Sequence, residues 1–433
     1  MKKFLTALLL LPTFLFAGDT LDTGDTAWMM VSTAFVLLMT PAGLALFYGG
    51  MTRSKNILNT YAMVLSAFVV AFVVWIIAGY SIAFGTSDNA TIQNVVGGLG
   101  NVMLSGIAWN DLSGTYPTYV FIVFQGTFAA ITVAIAAGSV IERIKFSTWL
   151  VFVAIWGLFV YAPITHMVWG GDGALLFDLG ALDFAGGTVV HMNGGLAGLV
   201  LAVLVGKRNG YPTTAMKPVS IILTALGAAL LWFGWYGFNG GSAFGANEIA
   251  GLAYMTTTIS ASIAAITWMM LEWFMFKKPT LLGAATGVIA GLVAITPAAG
   301  FVSVGGAFVI GIVGTIIAFY GVVLMKKKLG YDDSLDAFGV HFLAGLWGAI
   351  ATGIFALNDQ DLLWDGPLKA AGDRMGQIIV QVESVVIVGL FTLVGTVVVY
   401  YIAVLLTGGK RVDEEQESMG LDESVHGERG FSL

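Results

Sequence analysis

The 433-residue chain is 58% hydrophobic and only 10% charged, whereas a soluble domain carries about a quarter of its residues as Asp, Glu, Lys and Arg. It has no cysteine, which excludes disulfides, thiolate metal sites and cysteine nucleophiles. The net charge of −7 decides little, because in a membrane protein the placement of Lys and Arg matters more than their sum.

From the N-terminus, Lys2 and Lys3 precede an apolar run from Phe4 to Phe16, then Ala17 and the polar "GDTLDTGDT". That core is too short to span a bilayer and suits a signal peptide over 1–17. Leu15 makes the cleavage site imperfect, and an uncleaved anchor is the alternative. Eleven apolar segments follow, at about 27–49, 60–84, 117–141, 146–166, 185–206, 218–240, 249–276, 280–298, 303–325, 335–357 and 377–407. Their lengths are helical, so the expected fold is an all-α polytopic membrane protein with eleven transmembrane helices. The membrane domain runs over 18–407 and a soluble tail over 408–433.

Basic residues set the direction. Arg53 and Lys55, Arg143 and Lys145, Lys207, Arg208 and Lys217, Lys277 and Lys278, and Lys326 to Lys328 follow the odd-numbered spans. The alternate loops carry only Lys369 and Arg374. The positive-inside rule then places the N-terminus outside and the tail inside, as a cleaved signal peptide would.

Two spans carry a histidine at depth. "GGTVVHMNGGLAG" (186–198) and "FGVHFLAGLWG" (338–348) share H-x-x-x-G-L-x-G around His191 and His341. Each histidine has an aspartate eight residues upstream, Asp183 and Asp333. The fifth span runs inward and the tenth outward, so the chain divides into two inverted five-helix repeats, about 27–206 and 218–357, plus an eleventh helix at 377–407. Such repeats place the transported species between them near the midplane. "FYGG" (47–50) and "FNGG" (238–241) are a weaker echo near the ends of spans 1 and 6. Gly194, Gly195 and Gly198 share the face of His191, and Ala344, Gly345 and Gly348 that of His341, which lets the two helices approach closely. Each ring lies about 9–12 Å from opposite membrane faces, near enough to meet within a core of about 30 Å.

A lone histidine on an apolar helix is more often a packed residue than a working one. Two at repeat-equivalent positions point to function instead. Neutral imidazoles can share a proton and line a narrow path. They make a poor metal site, having no carboxylate or thiol at ligand spacing. His166 reads as structural and His426 lies in the tail. Glu142, Glu272 and Glu383 fall near helix ends and read as interfacial. So few polar side chains at depth favour a small, neutral permeant. Outside, Asp172, Asp178, Asp183 and Glu248 among tryptophans would attract cations, although most of the tryptophans read as an interfacial belt.

With these motifs stand "HMVWGG" (166–171), "ALDFAGGTVVH" (181–191), "GWYGFNGGSA" (234–243) and the tail pattern "EEQE…GLD…HGE" (414–428). Together they resemble the bacterial ammonium transporters of the Amt/MEP/Rh family over essentially the whole chain after the signal. The resemblance implies an outer ammonium site at Trp169, Phe128 and Ser242. It implies a gate of stacked rings at Phe128 and Phe238, a pore lined by His191, His341 and Trp235, and a structural Asp183 near the outer site. It implies deprotonation of ammonium and conduction of ammonia, with or without separate proton transfer. It further implies no cofactor, a homotrimer, an inner-membrane location, and regulation by a PII-type signalling protein at the cytoplasmic face. The chain departs from the family at Asp413 and Ser334, where proline is common, and at Phe342, which replaces a glycine and is expected to face lipid. A membrane sensor is the main competing class, opposed by the short tail. An intramembrane enzyme is a weaker one, lacking an acid–base carboxylate beside the histidines.

Overall fold

The computed structural model describes residues 20–357 and 373–431; the expected signal peptide and Lys369 lie outside them. Among the described residues ten helices are long and apolar enough to cross a membrane: α1 Thr23–Met51, α2 Ser54–Phe84, α3 Thr118–Val140, α4 Phe146–Trp169, α5 Gly187–Val205, α6 Ile221–Gly240, α7 Glu248–Phe276, α9 Val304–Leu329, α10 Phe338–Phe355 and α11 Arg374–Thr407. The segment expected as the eighth span is a shorter apolar helix, α8 Leu281–Ile295. At about 1.5 Å per residue it is about 22 Å long. Pro297 has no N–H to extend it, and residues 296–300 run on as turns. Only a two-residue strand pair, β1 Leu112–Ser113 with β2 Tyr116–Pro117, interrupts the helical pattern among the described residues.

Glycines set the packing of the two halves. Gly50, near the end of α1, abuts Ser220 and Thr224 at the start of α6, while Gly237 and Gly241, near the end of α6, abut Ser32 near the start of α1. The pair is therefore antiparallel along its whole length, with Gly43, Gly227 and Gly234 continuing the close approach between the "FYGG" and "FNGG" echoes. The same reciprocity holds between α5 and α10. A Cβ on Gly195 would lie 2.5 Å from the Phe342 backbone nitrogen, and one on Gly345 would lie 3.2 Å from the Cβ of His191. Each glycine is four residues beyond its histidine, so the shared motif is what lets the two histidine helices touch.

The arginine-bearing end of the bundle is held by buried ions. Glu142, only 1% exposed, accepts from Arg53 Nε at 2.9 Å and Arg208 Nη1 at 3.1 Å. Arg208 in turn pairs with Asp332 at 2.8 Å. The interfacial reading of Glu142 is thus corrected: two arginines from other loops enclose it, so its carboxylate has no need to reach for water. Glu272 is also buried, receiving the Thr280 N–H and hydroxyl at 2.7 and 3.0 Å. Glu383 is exposed on α11. Ser334 accepts from Arg143 Nη1 at 2.6 Å, which gives the departure from proline a use.

The tail folds onto the same end. Asp413 caps the short helix α12 Glu414–Met419 by accepting from Gln416 N at 2.8 Å, work that proline's hydrocarbon ring could not do. Helix α13 Leu421–His426 follows. Arg411 joins Glu417 at 2.5 Å, Asp422 accepts the Asn59 N–H at 2.8 Å, and His426 meets Asn59 Oδ1 at 3.0 Å.

Burial pushes the carboxyl pKa of Glu142 up, but Arg208 and Arg53 outweigh it and hold it below the ordinary value. Asp332 is depressed in the same way, burial being overcome by the hydrogen bond and charge of Arg208. Carboxylates depressed by folding add stability that is full above their unfolded values near about 4 and is lost as pH falls through the folded ones. The melting temperature in detergent should therefore hold steady from neutral pH down to about 5 and fall below about 4. A Glu142→Gln variant should show a lower melting temperature at neutral pH and a flatter acid limb. An equally steep limb in that variant would remove Glu142 from the account.

Candidate functional site

Asp183 organises one end of the site. Gly186, with φ +108, turns the chain into α5 in a conformation that suits only glycine. Every N–H of that first turn then points at the carboxylate. Gly186 and Gly187 donate to Oδ1 at 2.8 and 2.6 Å. Thr188 N, Thr188 Oγ1 and Val189 N donate to Oδ2 at 2.8, 2.5 and 3.1 Å. Burial pushes the Asp183 pKa up against these bonds. With four N–H donors and a hydroxyl around it, the pocket is built for the ionised carboxylate. Its backbone carbonyl does a second task, accepting Trp169 Nε1 at 2.8 Å. One residue thus fixes both the start of α5 and the indole of Trp169.

Trp169 stands edge-on to Phe128, centroids 6.3 Å apart. Phe128 stacks on Phe238 at 4.2 Å and 25°, and both rings are buried. Ser242, one turn past Phe238, donates its hydroxyl to the Phe238 carbonyl at 2.8 Å, which leaves its oxygen free to accept. Phe124 was missed in the sequence. It lies four residues before Phe128, hence one helical turn away, and its ring is 4.9 Å from that of Phe128. The "F-x-x-x-F" spacing in "FQGTF" carried the signal.

Beneath Phe238 the rings continue. His191 lies 5.7 Å from Phe238, 5.2 Å from Trp235 and 5.4 Å from His341, stacked within 28° of each. The two Nδ1 atoms are 3.3 Å apart, so the two histidine faces do meet, as the repeat predicts. One Nδ1 must donate and the other accept, which makes the two rings opposite tautomers when both are neutral. His191 Nε2 is buried with no hydrogen-bond partner among the described residues. Both histidines sit on wider π-helical turns, Gly187–Met192 and Phe338–Leu343, and Phe238 on a third, Tyr236–Gly240. An extra residue in a turn re-aims side chains, and such turns gather at functional sites. Trp235 is fixed by its Nε1, 2.9 Å from Thr296 Oγ1.

The cavity at the histidines is small and apolar. It is lined by Leu44, Ile131, Leu231, Trp235 and the two imidazoles, with a volume of about 10 Å³. That is room for about one water-sized molecule. Beyond His341 it gives way to a cavity of about 170 Å³ reaching Glu272 and Asp336. Further out, a pocket of about 300 Å³ carries Arg53, Glu142, Arg208 and Lys326. Phe342 lines none of these three cavities; it stacks on Phe338 at 5.0 Å. His166 is clamped between the carbonyls of Ala83 and Gln93 at 2.9 and 2.7 Å, a structural tie. Among the described residues no cluster of three or more His, Asp or Glu could hold a metal ion. The arrangement joins an aromatic face and a hydroxyl to a closed ring stack, an apolar constriction with two imidazoles, and a larger cavity beyond them that reaches Glu272 and Asp336.

Comparison with known proteins bears on what such a path conducts. A family model described as the Ammonium Transporter Family matches residues 27–431. The chain is 46% identical over 429 residues to an ammonium transporter of Aquifex aeolicus, covering 97% of this chain and 96% of that protein. It is 44% identical over 411 residues to an ammonium transporter of Bacillus subtilis, covering 94% and 98%. Among solved structures, Saccharomyces cerevisiae Mep2 superposes with a TM-score of 0.80 at 33% identity, covering 92% and 89%. A structure described as a sensor Amt protein superposes with a TM-score of 0.83 at 27% identity, covering 93% and 98%.

Proposed function

We propose a transport mechanism from one premise: this chain belongs to the ammonium transporter family. Ammonium is drawn from the outside by acidic loops and held at Trp169, Phe128 and Ser242, where a cation over an aromatic face gains about 0.5–2 kcal/mol. It then gives up a proton, either back to external water or to a separate relay along the paired imidazoles, and ammonia passes the gate of Phe128 and Phe238 into the constriction at His191, His341 and Trp235. The reason is solvation. Stripping water from a compact cation costs several kcal/mol, whereas the neutral molecule needs only the few hydrogen bonds that two imidazoles provide. Potassium has no proton to lose and is excluded. The observation that carries this reading is the pair of imidazoles, 3.3 Å apart, in an apolar space for one water-sized molecule.

The surrounding architecture follows from the same reading. The turns after α8 complete an eleventh crossing, with the N-terminus outside and the tail inside. The halves about 27–206 and 218–357 are inverted repeats, and α11 and the tail at 408–433 are additions to them. The protein works as a homotrimer in the inner membrane, carries transport and no enzymatic step, and is regulated by a PII-type protein at the cytoplasmic face.

Proteoliposomes given matched jumps of ammonium and potassium test the mechanism. A saturable current, or a change in lumen pH, for ammonium alone supports it; equal responses to both cations sink it, and silence in both readouts would favour a sensor. Trp169→Ala should raise the half-saturating ammonium concentration by about two- to tenfold with little change in maximal rate. An unmoved dose curve would mean that ammonium is recruited elsewhere.

A further inference from the structure

Two residues past Ser242 the backbone does something costly. Phe244 has φ +54, in the left-handed region that glycine occupies freely and a bulky side chain rarely does. Gly245 follows immediately, so a glycine was at hand for the turn but stands one position too late. Strain of this kind persists only where its surroundings impose it, and it gathers at functional sites. Here a turn imposes it, the Phe244 N–H donating to the Gly241 carbonyl at 2.9 Å.

The strained residue holds its ring in the open. Phe244 is 40% exposed. Its inner side rests on Phe121 at 5.7 Å and, edge-on, on Phe124 at 6.2 Å. Phe124 leads to Phe128 and thence to Phe238. Phe244 is therefore the outermost ring of the aromatic series that ends at the histidines. A carboxylate stands against the next two residues of the same turn, with Asp25 Oδ1 2.9 Å from the Cβ position of Gly245. Asp25 Oδ1 accepts the Ala246 N–H at 2.8 Å, and Thr115 donates to Oδ2 at 2.5 Å, which holds the charge against the 244–246 turn.

We propose that Phe244 and Asp25 form an outer collecting subsite for a compact monovalent cation, ahead of Trp169 and Phe128. The ring offers its π-face and the carboxylate its charge, a combination that gathers ammonium before it sheds water. The inference rests on the transport reading above and adds a recruiting residue to it.

Three substitutions at Phe244 separate a π-face from mere packing. Phe244→Gly removes both ring and strain, Phe244→Leu keeps apolar bulk without a π-face, and Phe244→Trp keeps a π-face. Initial rates in proteoliposomes against ammonium concentration are the readout, with Trp169→Ala measured alongside. The Gly and Leu variants should both raise the half-saturating concentration by about two- to tenfold at unchanged maximal rate, and the Trp variant should restore it. A Leu variant that behaves as wild type makes Phe244 a packing residue and overturns the proposal, as does a fall in maximal rate at unchanged half-saturation. If Trp169→Ala shifts the curve and no Phe244 variant does, this inference alone fails. If neither position matters, the outer-site reading fails with it.

Discussion

Asp183→Ala should yield a protein with a melting temperature well below wild type and almost no ammonium uptake. The substitution removes the acceptor shared by four backbone N–H groups and a hydroxyl at a buried helix start. Leaving even one such donor unsatisfied costs about 1–3 kcal/mol, and with several the local refolding of Gly186 to Val189 becomes the cheaper outcome. The Trp169 indole would lose its register too, because its acceptor is the carbonyl of the same residue. Asp183→Asn separates charge from shape. Its carbonyl oxygen can serve Gly186 and Gly187, but its NH2 would confront the N–H groups of Thr188 and Val189. We expect intermediate stability and strongly reduced uptake. Thermal unfolding in detergent and initial uptake rates check both variants. An alanine variant as stable as wild type would show that the five donors are satisfied some other way.

His191→Ala should reduce the ratio of ammonium to potassium response by about tenfold or more. The change deletes half of the polar lining, strips His341 Nδ1 of its partner, and enlarges a space that otherwise holds about one water-sized molecule. A wider, wetter constriction lets ions keep part of their hydration, and discrimination by proton loss then fails. His341→Ala should behave alike, since the two rings form one hydrogen-bonded unit, and the double variant should add little. The proteoliposome assay with both cations is the check. Wild-type discrimination in either single variant would return the histidines to a structural role.

Much of this was legible in the sequence, for reasons that differ between elements. The long apolar runs, and the basic residues after alternate ones, are properties of single segments, so the helices could be located. The approach of His191 to His341 was legible because a repeat carries long-range information: the same motif twice, with glycine four residues on, implies a symmetric contact. Glu142 shows where such reading stops. Its partners Arg53 and Arg208 lie 89 and 66 residues away, so a rule about helix-end carboxylates placed it in the interface when the fold had buried it. The hydrogen bonds of Asp183 depend on the backbone path through Gly186, which no side-chain pattern encodes. Phe124 was overlooked although one helical turn from Phe128, because spacing alone does not say which of two rings faces a path. The early end of α8 was written in "TPAAG" (296–300), yet the apolar composition of that stretch masked the proline.

The stacked pair of Phe128 and Phe238 has a consequence for speed. With ring centroids 4.2 Å apart and both rings buried, no gap for a molecule remains between them at rest. In the proposed mechanism each passage must wait for a ring to swing aside inside a packed interior, so throughput is set by the frequency of that rearrangement and not by diffusion along an open bore. Exposed rotamers turn over in picoseconds to nanoseconds, while gated rearrangements take microseconds or longer. A protein whose scaffold stays fixed would then show the steep temperature dependence and modest turnover associated with carriers.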